Sequence, residues 1–281
     1  MKKLLTLLSI VAVTIWADAQ VKIPAASVAA EYEVNVGLTE FDLEYSRPNV
    51  NGRKIFGGLI PYGEMWRTGA NKNSTIQFSD DIVIDGQTVK AGKYAIYTKP
   101  GPNNWEIFFY SDNENWGLPE KWDDAKVVMK TKAKVHQLPM SVESFSISID
   151  EIKNDEAKLN FLWSDVYAEV KMKVPTDRKV QASIDAALRN QPKPEDYMAA
   201  ANYYFTTGKD IQQAKKWIDL GIKDIKEPKF WQLRQQALIY AKAGHQKEAI
   251  SLARKSLEAA KKAGNTDYIK MNEDSIKEWS K

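Results

Sequence analysis

The 281-residue chain contains no cysteine and only two histidines, His136 and His245. The first absence excludes disulfides, thiolate metal sites, thiol nucleophiles and dithiol redox chemistry. With two histidines as well, a histidine-based metal cluster is not expected, and neither is any cofactor. Charge of one sign is also lacking. Lys+Arg number 40 against 37 Asp+Glu, a formal net charge of +3. That balance offers nothing to a nucleic-acid backbone or an anionic membrane surface, and the lysines of the C-terminal third are interleaved with acids. Long apolar runs are scarce too. The single one, residues 4–16, is shorter than the roughly 20 residues a membrane helix needs.

That apolar run follows Lys2 and Lys3 and precedes Ala17-Asp18-Ala19, a small-x-small pattern. This is the layout of a secretory leader, with residues 1–19 removed and Gln20 first in the mature chain. Removal takes Lys+Arg from 40 to 38 and Asp+Glu from 37 to 36, leaving a net charge of +2 on the same convention. The expected location is periplasmic or extracellular, with no membrane span after processing.

Residues 20–174 are expected to form an all-β antiparallel sandwich or barrel, and residues 175–281 a C-terminal α-helical, repeat-like domain. In the first part, Phe41, Leu43 and Tyr45 alternate with Asp42 and Glu44, the period of a half-buried strand. Further strands are expected at 75–79, 82–84, 94–98, 105–110, 126–135, 144–152, 157–163 and 166–174. Asp85-Gly86 marks a tight turn, and the Pro/Gly/Asn cluster at 99–104 joins a hairpin. Lys153-Asn154-Asp155 and Ser164-Asp165 are expected to turn two more.

After Pro175 the period becomes helical. Thr176 is the expected N-cap of a helix at 177–190, and another helix is expected at 266–279. Leu233, Ala237, Tyr240, Gly244, Ala249, Ala253 and Ser256 follow the spacing of a tetratricopeptide repeat, with Gly244-His245 at its turn. Tyr204, Gly208 and Ala214 form a weaker first copy. Such helical pairs can hold a protein partner. Trp217, Trp231 and Trp279 are either anchors for it or helical core.

The richest segment is 46–71, SRPNVNGRKIFGGLIPYGEMWRTGAN. Five of the 14 glycines and two prolines lie in it, a density that implies a shaped, irregular connection. Arg53, Tyr62, Trp66, Arg67 and Asn71 are the candidate ligand-binding residues. Arginine matches carboxylate, sulfate or phosphate as a planar fork. Trp and Tyr offer flat faces to a sugar or ring, and Asn both donates and accepts. The alternative is architectural: Trp66 and Phe56 plug one end of the β-domain, and Arg67 pairs with Glu64 or satisfies loop carbonyls.

A second candidate is 116–124, WGLPEKWDD, whose two tryptophans and acids could line a carbohydrate groove. Acid–base cleavage of a glycan would need two facing carboxylates, drawn from Glu64, Asp123 or Asp124. No catalytic residue is assigned on sequence grounds.

The run GR-x-IFG…PYG-x-x-WRTGAN, with AGKYAIYTKP at 91–100 and Trp105 after it, resembles a secreted family found mainly in Bacteroidetes and catalogued as domain of unknown function 2911. The resemblance covers about residues 25–170. It implies a secreted β-rich module, followed in some members by helical repeats, and brings no catalytic residues with it. Three readings stand: an exported binding or interaction protein, a metal-independent glycan hydrolase, and a purely structural scaffold.

Overall fold

The computed structural model describes residues 23–281; the leader expected at 1–19 lies outside the described residues. The chain divides into two compact units, with Val174 ending the first and Pro175 opening the second.

The first unit is one antiparallel sheet. Its strands are β1 (Val28–Val36), β2 (Thr39–Arg47), β3 (Ser74–Phe78), β4 (Ile82–Ile84), β5 (Gln87–Val89), β6 (Gly92–Lys99), β7 (Asn104–Tyr110), β8 (Val127–Asp150) and β9 (Glu156–Lys173), in the order β1-β2-β3-β6-β7-β8-β9-β4-β5. Alternation decides which face is covered. Phe41 and Leu43 of β2 point into the core while Asp42 and Glu44 point out. Asp85 and Gly86, both at positive φ, close the β4–β5 turn, and β6 and β7 form the expected hairpin.

The sheet curls because β8 and β9 are long and bent. Their pairing shifts register between Gln137 and Val142 and again before Ser146, and such bulges bend a strand and increase its twist. The second half of β8 is thereby brought beside the end of β2. Phe145 N–H donates to Pro48 O (2.9 Å). Arg47 clamps the same place, donating from Nε to Phe145 O (2.9 Å) and from Nη2 to Ser146 Oγ (2.8 Å). The enclosed core holds Phe41, Phe78, Trp105, Phe109, Phe161 and Trp163. A smaller cluster, Ala95, Tyr97, Phe108 and Tyr110, lies apart from it on alternate residues of β6 and β7, with Met65 and Trp122 packed against it.

Several sequence expectations change here. Ser164-Asp165 does not reverse the chain. Ser164 takes φ 55 and the strand runs on through it, so the segments at 157–163 and 166–174 are one strand, β9. Those at 126–135 and 144–152 are likewise one strand, β8. β1 and β5 were not among the expected strands.

The second unit consists of α1 (Thr176–Arg189), α2 (Pro194–Thr207), α3 (Ile211–Ile222), α4 (Phe230–Lys242), α5 (Gln246–Lys262) and α6 (Thr266–Trp279). Pro175, not Thr176, occupies the cap position of α1. Ala201, Ala214, Ala237, Ala249 and Ala253 are fully buried, and such small side chains let helix backbones approach closely. Asp210 and Asn265 cap α3 and α6 through their side-chain oxygens. Trp217 packs on the helical core, whereas Trp231 is half exposed. A buried polar group ties α4, α5 and α6 together: Asn272 Nδ2 donates to Ser256 Oγ (2.9 Å), and Arg234 Nη1 donates to Asn272 Oδ1 (3.2 Å). Among the described residues no helix is long and apolar enough to cross a membrane.

Candidate functional site

Between β2 and β3 the chain is stitched to its surroundings rather than looping freely. Val50 N–H donates to Glu143 O (2.8 Å), Gly63 N–H to Pro100 O (2.8 Å), and Trp66 and Thr98 exchange two backbone hydrogen bonds (2.7 and 3.0 Å). Gly57 is required where it stands. Its φ is +72, and a Cβ there would meet the Tyr62 ring at 2.6 Å. Tyr62 thus lies over Gly57, with 46% of its surface exposed.

Trp66 is 6% exposed and belongs to the enclosed core. Its ring stacks on Trp163 (centroids 5.7 Å apart, 17° between planes) and meets Phe56, Trp105 and Phe145 edge-on. Its Nε1 donates to Gly69 O (3.2 Å). Trp66 and Phe56 therefore fill space inside the β-unit.

The two arginines behave differently. Arg53 donates from Nε to Val50 O (3.0 Å) and from Nη2 to Asn49 O. Arg67 donates from Nη1 to Asn71 O (2.9 Å). Among the described residues neither forms an ion pair with a carboxylate, and Glu64 does not pair with Arg67. Arg53 and Arg67 both line one cavity of about 430 Å³, with Leu59, Ile60, Trp66 and Trp163 as its apolar part and Asn49 and Asn51 as further polar residues. No carboxylate lines it. Glu143 accepts from the N–H of Asn51, one of the lining residues (2.8 Å).

Arg53, Trp66 and Arg67 thus share a cavity, while Tyr62 and Asn71 are not among its lining residues. Asn71 acts from behind. It sits at φ 59, its carbonyl orients Arg67, and its Nδ2 donates to Ser46 Oγ (3.3 Å). Sequence reasoning passed over Trp163, although alternation along β9 from Phe161 placed it inward. It also passed over Gly117, which takes φ +108 and whose Cβ position lies 3.1 Å from Arg67 Nη1. Tyr97 O–H holds that glycine by donating to its carbonyl (3.2 Å), and burial pushes the Tyr97 phenol up to about 12.

The adjacent acids of segment 116–124 are separately engaged. Asp123 accepts from Ala125 N–H and caps a short turn at Asp124–Lys126, while Asp124 accepts from Trp122 Nε1 (2.8 Å). Asp124 and Glu64, sixty residues apart in sequence, line a second cavity of about 400 Å³. Neither histidine makes a triad. His136 stands 3.9 Å from Glu169 and His245 3.5 Å from Glu248. Glu169 also accepts from Tyr167 O–H (2.6 Å) and pairs with Lys158 (3.0 Å), which together hold its carboxyl below the usual range.

Residues 27–172 match the family described as "Protein of unknown function (DUF2911)". The match covers just over half of the chain. The protein belongs to this family. The DUF2911 region opens immediately before β1 and closes inside β9, so it holds nearly all of both cavity linings and none of the helices. No curated protein and no solved structure matches the chain.

Proposed function

We propose that this DUF2911 protein is an exported binding protein whose ligand carries an anionic group, a carboxylate or sulfate, attached to a small apolar or cyclic body. One observation carries the reading: Arg53 and Arg67 line a single cavity from which carboxylates are absent. Backbone carbonyls orient both guanidiniums without neutralising them, and this leaves donors free and full positive charge to meet an anion bidentately. Such pre-orientation lowers the entropic cost of binding. The cavity's volume falls within the roughly 300–1,000 Å³ of small-ligand sites, and Trp66, Trp163, Leu59 and Ile60 supply the apolar side such sites commonly have. The leader-like N-terminus supports a location outside the cytoplasm, and the repeat-like spacing of α4 and α5 supports a role for the helical unit in contacting a protein partner.

The test is a thermal-shift screen of the mature chain against carboxylates, sulfated sugars and nucleotides, repeated with Arg53→Ala and Arg67→Ala. A ligand at about 100 times its Kd adds about 2.7 kcal/mol of stability, a shift of several degrees. The reading expects at least one anion to stabilise the parent and neither variant. A stabilising anion that survives both substitutions would remove the cavity from consideration. Failure of every anion would leave the structural reading, which the burial of Trp66 favours.

A further inference from the structure

We infer that the second cavity, beside β6 and β7, is a saccharide-binding cleft separate from the arginine-lined one. Segment 116–124 and residues Gly63, Glu64 and Met65 form its sides, and Phe108 joins the lining from β7. Phe108, Met65 and Trp122 belong to the smaller apolar cluster, apart from the enclosed core. The cleft of about 400 Å³ has an apolar part, Met65, Phe108, Leu118 and Trp122, and charged groups of both signs, Glu64, Asp124, Lys99 and Lys130.

A sugar ring offers one apolar C–H face and a belt of hydroxyls that both donate and accept. The cleft matches both properties. Trp122 is held rigidly, 4.7 Å from the Tyr110 ring and with its Nε1 on Asp124. Its indole is a flat platform already fixed in place. Lys130 is equally constrained, paired with Glu106 (2.9 Å) and lying 5.1 Å from the Phe108 ring centroid. Carboxylates accept from hydroxyls and ammonium groups donate to them, and charged partners strengthen each hydrogen bond. The mixed signs also select among occupants. Two carboxylates oppose a polyanion, two lysines oppose a cation, and a wholly apolar chain would leave four charges to be desolvated. A neutral sugar is opposed by none of these.

The experiment is saturation-transfer NMR of the mature chain with a panel of neutral trisaccharides: cellotriose, maltotriose, xylotriose, laminaritriose and triacetylchitotriose. The inference expects transfer to at least one, with a Kd near 1 mM. Glu64→Ala, at an exposed position, is expected to weaken that binding about tenfold, because it removes one charged hydrogen-bond acceptor. Trp122→Ala is expected to abolish it; should that variant fail to fold, Glu64→Ala alone decides. Arg53→Ala and Arg67→Ala are expected to leave sugar binding unchanged, so the two cavities stand or fall independently. No transfer from any trisaccharide at about 10 mM, or binding indifferent to Glu64→Ala, would overturn the inference.

Discussion

Replacing Trp66 by alanine separates architecture from recognition at the centre of segment 46–71. The side chain is 6% exposed, so nearly all of the roughly 200 Å² that a tryptophan buries is out of water. At about 25 cal/mol per Å² that burial is worth about 5 kcal/mol, an upper figure because the unfolded chain already hides part of its apolar surface. The Nε1–Gly69 hydrogen bond contributes about 1 kcal/mol more. Core Trp→Ala substitutions cost about 3–5 kcal/mol, and three of its four aromatic neighbours, Trp105, Phe145 and Trp163, are held by strands, which leaves little room for collapse into the void. The expected loss is therefore about 4 kcal/mol, a large share of the 5–15 kcal/mol that stabilises a typical domain. Urea unfolding followed by near-UV circular dichroism, where packed aromatic rings contribute, measures it. Trp116→Ala is the control, since its side chain is 78% exposed and its loss is expected to stay within about 0.5 kcal/mol. If Trp66→Ala cost no more than Trp116→Ala, the packing account of this segment would be wrong.

Three further outcomes follow from the same contacts. Gly117→Ala forces a side chain into φ +108 and against Arg67 Nη1, so it is expected to destabilise the fold by about 1–3 kcal/mol and to weaken anion binding as Arg67→Ala does; unchanged anion affinity would contradict this. Glu156 is held down at about 2 by hydrogen bonds from Lys153 and Lys171. Its contribution to stability is present above the ordinary value of 4.5 and is lost as pH falls through about 2; a carboxyl-carbon NMR titration with a midpoint near 4.5 would refute the pairing. Asn272→Ala leaves Ser256 and Arg234 short of a buried partner and is expected to cost the helical unit about 1–3 kcal/mol, read as a lower urea midpoint by far-UV circular dichroism.

Much of the β-unit was legible because its cues are local. Asp85-Gly86 needs two positive-φ residues, and alternation of Phe41 and Leu43 with acids reports one buried face. β1 carried the same cue, since Tyr32, Val34 and Val36 alternate with Glu31, Glu33 and Asn35, yet it was not recognised. Ser164-Asp165 misled because a polar pair interrupting an apolar run reads as a reversal, whereas one positive-φ residue within a paired strand only bends it. The candidate site was legible in its residue types but not in their grouping. The segment that carries Arg53 and Arg67 is anchored by contacts distant in sequence, Val50 to Glu143 and Trp66 to Thr98, and local patterns do not report these. Glu64 looked like a partner of Arg67 because three residues separate them, but Gly63, Glu64 and Met65 line the second cavity while Trp66 and Arg67 line the first.

The most direct test of the account is a side-chain ¹⁵Nε titration of Arg53 and Arg67, assigned by Arg→Lys replacement, against the anion selected by thermal shift. The account predicts that both signals move together and saturate at one concentration, with a 1:1 stoichiometry. An anion that binds while the two signals stay fixed would contradict it.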